Sequence, residues 1–514
     1  MSQRPVWTTR TPSWYARRFI PWRGTGSALS SATTCERSRG PTALCVLRKV
    51  ASSKKGRTKS CCIGMASTPG CTDCRQVNGS TGRWSMLSSA DASIVDRDQR
   101  LPGLRTLLDD EAFCQTLRRI VQTMEIESAR ARYVRYKPGT SCLVAYDVLT
   151  ADGPVSVYAR CHAEDRLEKI LNTKRRLEVA GPLGIGMWAD TQASIAIFEF
   201  PNDYEIRSLR KLFEPDKLRL RIRRMLPAHK HLRSAIPQVL RYKPERRFVG
   251  KMEAQEGPAA VLRLYPQHCF AEMREKAWAF KSTGAMHVPR IVGDSERYNS
   301  IAHEWVDGYT PTCSQLADDE QLLQRIVAAL GTLHKQRPRL GTMYSASDYC
   351  RAVQGSCETL AALDSAFGQR ALTQADAVRS IILDCPWRPH AVHGDFTADQ
   401  VLVQPDRITL LDFDRAGYGD PAMDIGAFAA GQIARALAHE EPLADAFALA
   451  NNFAAAYARQ SGTLDPVSVR ACTAGALLML APEPFRHRAE RWPEQTAAVL
   501  ECVDRSLSRE VIDA

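Results

Sequence analysis

The sequence of 514 residues contains no long uncharged apolar run, and acidic residues are almost absent from its first 90 positions. A membrane-spanning helix needs about 20 consecutive apolar residues, so the missing run excludes a transmembrane protein. Residues 1–90 hold 15 Lys and Arg but only Glu36 and Asp73 as acids, which gives this segment a net charge of +13. The rest of the chain carries −1, so the whole-chain value of +12 describes the segment and not the body. The body therefore gives no support to a nucleic-acid partner.

The basic segment also lacks the regular spacing of apolar residues that folded elements need, and it is rich in Ser, Thr, Arg and Gly. Its composition predicts a disordered basic extension over residues 1–95, or upstream sequence before a later start such as Met65 or Met86. A targeting peptide and a basic nucleic-acid arm are the alternatives that its charge leaves open.

The cysteines show no regular framework. Six of the 16 lie in the basic segment, where Cys71 and Cys74 have the two-residue gap of a zinc knuckle and Cys61 and Cys62 lie nearby. Adjacent cysteines are awkward joint ligands of one tetrahedral ion, so a zinc site is the weaker interpretation. The other ten are scattered through the body, which is typical of buried or free thiols in a reducing cytoplasm.

The body contains a self-similarity at an offset of 106 residues. Arg-Tyr-Lys-Pro at 135–138 recurs at 241–244, and Ser-Ile-Ala at 194–196 recurs at 300–302. Each copy predicts the same order of strand, Gly-Pro turn, strand, charged helix and closing strand, which indicates a duplicated unit. A basic helix over residues 214–232 is predicted to link the copies.

Beyond Pro311 the sequence is mainly helical, but one stretch has strand and turn character. There a loop carrying Asp395 precedes a short strand at 401–403, and a turn returns the chain as an apolar strand ending in Asp412. An antiparallel hairpin of this kind brings Gln400 and Asp412 to the same end, beside Asp395. The result is one base with two oxygen ligands, which suits magnesium-dependent phosphoryl transfer.

These residues resemble the catalytic core of the aminoglycoside phosphotransferase and choline kinase-like family, relatives of protein kinases. The resemblance covers roughly residues 238–500. It implies that Asp395 is the catalytic aspartate, that His393 braces the catalytic loop and that Asp412 binds magnesium. Gln400 stands where the family usually has asparagine and retains the carbonyl oxygen for the metal, although a weakened or inactive kinase is the competing interpretation.

Three further acids follow the hairpin. Asp414 is either a second acid near the metal or a salt-bridge partner. Asp420 and Asp424 resemble the family's structural acidic motif and are predicted to cap the helix that begins near residue 424.

The second copy resembles a kinase nucleotide pocket. Arg263 takes the place of the phosphate-contacting cation, since arginine can grip phosphate in bidentate fashion. Glu275, or less favourably Glu272, is predicted to pair with Arg263 from the following helix. The turn after Tyr242 lacks a Gly-rich loop and holds three cations that either supply charge to phosphate or are solvated: Lys243, Arg246 and Arg247.

Glu304, Trp305 and Val306 resemble the hinge between kinase lobes, where backbone groups would meet adenine. The first copy has no catalytic segment of its own downstream, which suggests a cap or regulatory role near the second copy.

The expected fold is α+β and bilobal, like a protein kinase. A small antiparallel-sheet N-lobe (233–312) and a mostly helical C-lobe (313–514) follow a duplicated N-lobe-like module (96–232). The resemblance implies a cytoplasmic small-molecule kinase that uses ATP and Mg²⁺ and transfers the γ-phosphoryl group to a hydroxyl. The acceptor would be a sugar, an amino-alcohol or an aminoglycoside-like molecule. A nucleotide-binding pseudokinase that acts as a scaffold is the alternative.

Overall fold

Two five-stranded antiparallel sheets follow one another along the chain, and a mostly helical region follows the second sheet. The structure is a computed structural model that describes residues 87–163, 167–171, 179–462 and 464–508. Its strands, in chain order, are β1 (Ile126–Lys137), β2 (Ser141–Thr150), β3 (Gly153–His162), β4 (Met187–Asp190), β5 (Ile195–Glu199), β6 (Gln238–Lys243), β7 (Arg247–Met252), β8 (Ala260–Leu264), β9 (Met286–His287), β10 (Ile291–Ser295), β11 (Ser300–Glu304), β12 (His390–Val392), β13 (Val401–Val403), β14 (Ile408–Leu410) and β15 (Gly417–Gly419).

Helices precede each large sheet and make up most of the chain after residue 312. The α-helices of the described residues are α1 (Ser89–Arg97), α2 (Leu104–Leu108), α3 (Asp110–Ile120), α4 (Leu167–Leu171), α5 (Pro215–Met225), α6 (Gln267–Ala279), α7 (Cys313–Asp318), α8 (Glu320–Lys335), α9 (Ala346–Leu363), α10 (Ser365–Asp384), α11 (Ala422–His439), α12 (Leu443–Ser461), α13 (Pro466–Leu480), α14 (Glu483–Arg486) and α15 (Trp492–Leu507).

The folded part begins earlier than the predicted boundary at residue 96. Helix α1 starts at Ser89, and its Ile94 is fully buried in the core. Residues 89–95 therefore belong to the fold and not to the extension. The predicted extension before them, with the candidate zinc cysteines Cys71 and Cys74, lies outside the described residues.

The two large sheets have the same strand order. The first is β1-β2-β3-β5-β4, and the second, read from its other edge, is β6-β7-β8-β11-β10. We call residues 89–199 the first module, residues 203–304 the small lobe and residues 313–508 the helical lobe. The predicted mixture of antiparallel sheets and helices is confirmed.

Strand register relates individual positions in the two sheets. Tyr136 pairs with Cys142 between β1 and β2, and Tyr242 pairs with Phe248 in the same way between β6 and β7. Continuing the register across each sheet yields two more equivalent pairs: Arg160 with Arg263, and Glu199 with Glu304.

The Ser-Ile-Ala match is one residue out of structural register. Ile195 pairs with Cys161, whereas Ser300 pairs with Leu264 at the corresponding place. Side chains alternate between the faces of a strand, so Ile195 joins the helix-covered core while Ile301 lies on the opposite face. The alignment of these tripeptides at 106 residues was therefore wrong by one position.

One carboxylate holds the turn that follows each Tyr-Lys-Pro motif. Asp98 Oδ2 accepts hydrogen bonds from the motif tyrosine at 2.7 Å and from the N–H of Gly139 at 2.8 Å. Asp203 Oδ2 accepts the corresponding bonds, from the second motif tyrosine at 2.7 Å and from the N–H of Glu245 at 2.8 Å. Gly139 and Glu245 both have φ +59°, so the two turns share one backbone conformation.

Helix α5 is part of the small lobe rather than a linker. Its buried Leu218, Ile222 and Met225 share one hydrophobic cluster with Leu262 of β8 and Ala302 of β11. The apolar face of the predicted basic helix thus covers the second sheet, as α1–α3 cover the first.

The ten cysteines of the described residues are free thiols, as the sequence predicted. Within the described ranges, no helix is long and apolar enough to cross a membrane.

Candidate active site

The predicted hairpin is confirmed. Strand β13 pairs antiparallel with β14, and Val401 lies opposite Leu410. The N–H of Leu411 donates to the carbonyl oxygen of Gln400 at 2.8 Å. This bond brings Gln400 beside the end of the strand that leads into Asp412, so the two predicted metal ligands lie at one end of the hairpin.

A buried carboxylate holds the loop that carries Asp395. Asp424 accepts from the N–H of His393 at 2.7 Å and from the N–H of Gly394 at 2.8 Å. The fully buried Asp424 also lies 3.0 Å from His334 Nε2. Asp424 therefore fixes the loop backbone from the first turn of α11, where the sequence had predicted a helix cap.

His393 braces the loop from within. Its side chain is fully buried and its Nε2 donates to the carbonyl oxygen of Leu411 at 2.7 Å. The next residue, Gly394, has φ +76°, and a Cβ there would lie 2.1 Å from the carbonyl oxygen of Arg415. Only glycine fits this position, and the resulting bend turns Asp395 away from the core.

Asp395 is accessible to a substrate. Its side chain is 52% exposed, and its nearest charged partner is Arg415, at 3.9 Å. A carboxylate in this environment is free to approach an acceptor hydroxyl, whereas His393 is enclosed.

Two arginines of the small lobe meet the acids that follow the hairpin. Arg247 contacts Asp412 Oδ1 at 2.5 Å and also contacts Asp414, while Arg263 lies 3.1 Å from Asp412 Oδ1 and 3.4 Å from Asp414 Oδ1. Tyr265 donates its hydroxyl to Asp414 at 3.1 Å. Asp414 thus acts as a salt-bridge partner, one of its two predicted roles.

The ionisation of Asp412 follows from these contacts. Burial alone would raise the pKa of Asp412, but the charges of Arg263 and Arg247 outweigh burial and hold that pKa well below its usual range. The oxygens of an ionised carboxylate and of the Gln400 amide are the hard ligands that magnesium prefers. The chemistry of these donors therefore fits the predicted metal, while Arg247 and Arg263 occupy the Asp412 oxygens in this structure.

The predicted ion pair between Arg263 and Glu275 is not formed. Glu275 accepts from the N–H of Gly341 at 2.6 Å and so ties α6 to the helical lobe. Glu272, the second choice, binds Lys276 Nζ at 2.6 Å. The prediction was wrong because the acids nearest to Arg263 in space come from the hairpin and not from the next helix.

The predicted hinge begins at Glu304, the last residue of β11, and continues directly after it. The Glu304 carboxylate accepts from the N–H of Arg290 at 3.0 Å, and the N–H of Trp305 donates to the carbonyl oxygen of Ala259 at 3.0 Å. Lys251 Nζ lies 4.4 Å from the centre of the Trp305 ring. Val306 is half-buried. These contacts leave the adenine-binding role a prediction.

Sequence reasoning gave too little weight to two cations. The sequence leaves Arg247 either as a source of charge for phosphate or as a solvated turn residue, yet its guanidinium makes the closest contact with Asp412. Lys276 is buried on α6, and its Nζ donates to the Asp414 carbonyl oxygen at 3.2 Å. The basic residues that surround the second Tyr-Lys-Pro motif were the available signal for Arg247.

Comparison with known proteins gives a family match and several similar structures. The model of the phosphotransferase enzyme family matches residues 242–472. A choline/ethanolamine kinase family protein from Mesorhizobium loti is 15% identical, with 58% of this chain and 96% of that chain covered and a TM-score of 0.42. A choline kinase from Cryptosporidium parvum Iowa II is 12% identical, with coverages of 57% and 94% and a TM-score of 0.43.

A thermostable mutant of aminoglycoside phosphotransferase APH(4)-Ia, in ternary complex with ADP and hygromycin B, is 16% identical. It covers 52% of this chain and 93% of its own, with a TM-score of 0.40. The curated proteins include no match to this sequence. The family match confirms, for residues 242–472, the resemblance that the sequence motifs had indicated.

Proposed function

We propose that this protein is an ATP- and magnesium-dependent phosphotransferase that acts on a hydroxyl group of a small molecule. A sugar, an amino-alcohol or an aminoglycoside-like compound is the acceptor class that fits the family match to residues 242–472. The first module lies outside that match, so the activity is assigned to the small lobe and the helical lobe.

One observation carries the proposal. The accessible carboxylate of Asp395 lies on the loop before β13, and the ionised carboxylate of Asp412 follows β14. Arg247 and Arg263 of the small lobe contact Asp412. Phosphoryl transfer requires this division of labour, since one side must orient the acceptor and the other must neutralise phosphate charge.

In the proposed reaction the acceptor oxygen forms a bond to the γ-phosphorus, and the bond from that phosphorus to the β–γ bridging oxygen breaks, releasing ADP. Asp395 orients the acceptor hydroxyl and takes its proton. Arg263 and Arg247 bind phosphate oxygens, and His393 and Asp424 hold the loop in place. A magnesium ion held by Asp412 and Gln400 would neutralise charge on the phosphates.

A labelled-ATP screen over sugars, amino-alcohols and aminoglycosides tests the proposal. We expect a phosphorylated product whose rate falls about 10²–10⁴-fold in Asp395→Asn, because that variant loses the general base. Asp406→Asn, in the exposed turn of the same hairpin, is the matched control and should retain the wild-type rate. Full activity in Asp395→Asn would remove Asp395 from the base role.

The second candidate is a nucleotide-binding pseudokinase that acts as a scaffold. The two arginines on Asp412 favour it, since they occupy oxygens that a metal would need. Tight ATP binding without any product across the whole panel would support this alternative.

We also infer that the first module arose by duplication of the small lobe. The common strand order and the paired turns at Gly139 and Glu245 support this origin. An experimental structure in which Asp98 and Asp203 make different contacts would contradict it.

A further inference from the structure

The turn between β6 and β7 has an unexpected residue at its left-handed position. Glu245 has φ +59°, a conformation that is unfavourable for a non-glycine residue because of its Cβ. The equivalent residue of the first module, in a turn of the same geometry, is Gly139. The turn itself therefore does not need glutamate, and the reason for the glutamate must lie in its carboxylate.

Both partners of that carboxylate come from the first module. Arg135 Nη2 lies 2.8 Å from Glu245 Oε2, and Arg160 Nη1 lies 2.5 Å from Glu245 Oε1. The Glu245 side chain is only 4% exposed. These two contacts are more restrictive than a surface ion pair, because the buried Glu245 carboxylate has little water to replace a lost arginine.

The first module is in turn fixed to the helical lobe. Arg488, which follows α14, grips the Asp91 carboxylate of α1 with both terminal nitrogens, at 3.1 Å and 2.8 Å. It also donates to the carbonyl oxygen of Leu108 at 3.0 Å. The buried side chains of α1–α3 form one continuous hydrophobic cluster with those of the helical lobe.

These contacts form a path from the helical lobe, through the first module, to the turn of the small lobe. Arg247 begins the strand directly after that turn and meets Asp412. We propose that the first module is a strut whose Arg135 and Arg160 hold Glu245, and thereby set where the cations of the turn meet the ATP phosphates. The strut deepens the proposed function and rests on it, since it assumes that these cations face a nucleotide.

Equilibrium binding tests the strut without turnover or an acceptor. The dissociation constants of ATP with Mg²⁺ and of adenosine are measured by titration calorimetry for wild type, Glu245→Gln, Arg160→Gln and the double variant. We expect ATP to bind about 10-fold more weakly in each variant, because small displacements of positioned groups are costly. Adenosine, which lacks the phosphates, should change by less than about twofold.

The double variant should bind ATP no more weakly than Glu245→Gln alone, since Glu245→Gln already removes the ion pair that Arg160→Gln breaks. Arg130→Gln, on the same strand as Arg135 but exposed and paired with the exposed Glu490, is the matched control and should leave both affinities unchanged. Thermal unfolding of each variant separates a loss of folding from a loss of positioning.

Unchanged ATP affinity in Glu245→Gln and Arg160→Gln, or parallel losses of ATP and adenosine affinity, would overturn the strut and leave the proposed function standing. A wild-type protein that binds ATP no more tightly than adenosine would overturn both. Selective loss of ATP affinity supports the strut even if no acceptor is ever phosphorylated.

Discussion

The first module and the small lobe have sheets of the same strand order but use equivalent arginines differently. Arg160 of the first module binds Glu245, in the turn between β6 and β7 of the small lobe. Arg263 of the small lobe binds Asp412 and Asp414, which follow the β13–β14 hairpin of the candidate active site. The comparison shows that what packs against a sheet, and not its topology, decides whether a cation on that sheet has a structural or a chemical partner.

The closing strands of the two sheets also differ in the contacts of the residues that follow them. Glu304 leads into the candidate hinge, where Trp305 is half-buried. The equivalent Glu199 leads into Phe200, whose ring packs against Phe213 and other aromatic side chains of the small lobe. The first module therefore presents no hinge at this edge, because its chain continues directly into the core of the next sheet.

The largest effect is expected from replacing one of the two equivalent arginines, Arg160 or Arg263. Arg263→Gln should lower kcat/KM for ATP by about 10²–10³-fold, since it removes a charge that we propose binds the transferring phosphate. Arg160→Gln should lower kcat/KM by only about 10-fold, by raising KM. Steady-state kinetics measure both, with Arg274→Gln, on the exposed side of α6, as the control. Equal losses in the two variants would show that the two sheets are not functionally distinct.

A second prediction concerns the equivalent glutamates. Burial raises the pKa of Glu199 to about 7, despite the bond from the N–H of Leu183. The folded state then holds a proton that the unfolded chain releases from about pH 4.5 upward. The contribution of Glu199 to the free energy of unfolding is therefore fully present below that pH. It falls by about 3 kcal/mol as the pH rises through 7. Denaturant unfolding between pH 4.5 and 7.5 should show this fall, and Glu199→Gln should remove it.

Glu304→Gln is the matched control for Glu199→Gln. Glu304 is ion-paired with the exposed Arg290, so its loss should change the free energy of unfolding by less than about 1 kcal/mol. A wild-type pH profile that is identical to that of Glu199→Gln would show that Glu199 is not the protonated group.

The smallest expected effect concerns the turn at Gly139, which is equivalent to the turn at Glu245. Gly139→Ala should destabilise the protein by about 1–2 kcal/mol because of its positive φ, since the new Cβ would meet nothing closer than Arg100 Nη1, at 3.5 Å. Gly331→Ala, inside α8 and with open space around it, should instead stabilise by up to about 1 kcal/mol. Thermal unfolding measures both. An unchanged melting temperature in Gly139→Ala would show that a non-glycine residue is not strained in this turn conformation.

Much of the site was predictable because its signals are local. The spacing from Asp395 to Asp412 implied a hairpin, and β13 and β14 form it. The two Tyr-Lys-Pro motifs marked turns that share one conformation. The partners of Arg263 and the role of Glu245 were not predictable, because no local pattern distinguishes a solvated charge from a buried pair.

Local sequence signals were enough to predict three of the five strands in each copy, the loop that carries Asp395 and the resemblance that the family match to residues 242–472 supports. Tertiary structure alone decided which charges meet. Arg135 and Glu245 are 110 residues apart, and Arg247 and Asp412 are 165 residues apart. Hydrophobic periodicity predicts each helix or strand from a short stretch of sequence. The pairing of distant charges depends instead on how the sheets and helices pack.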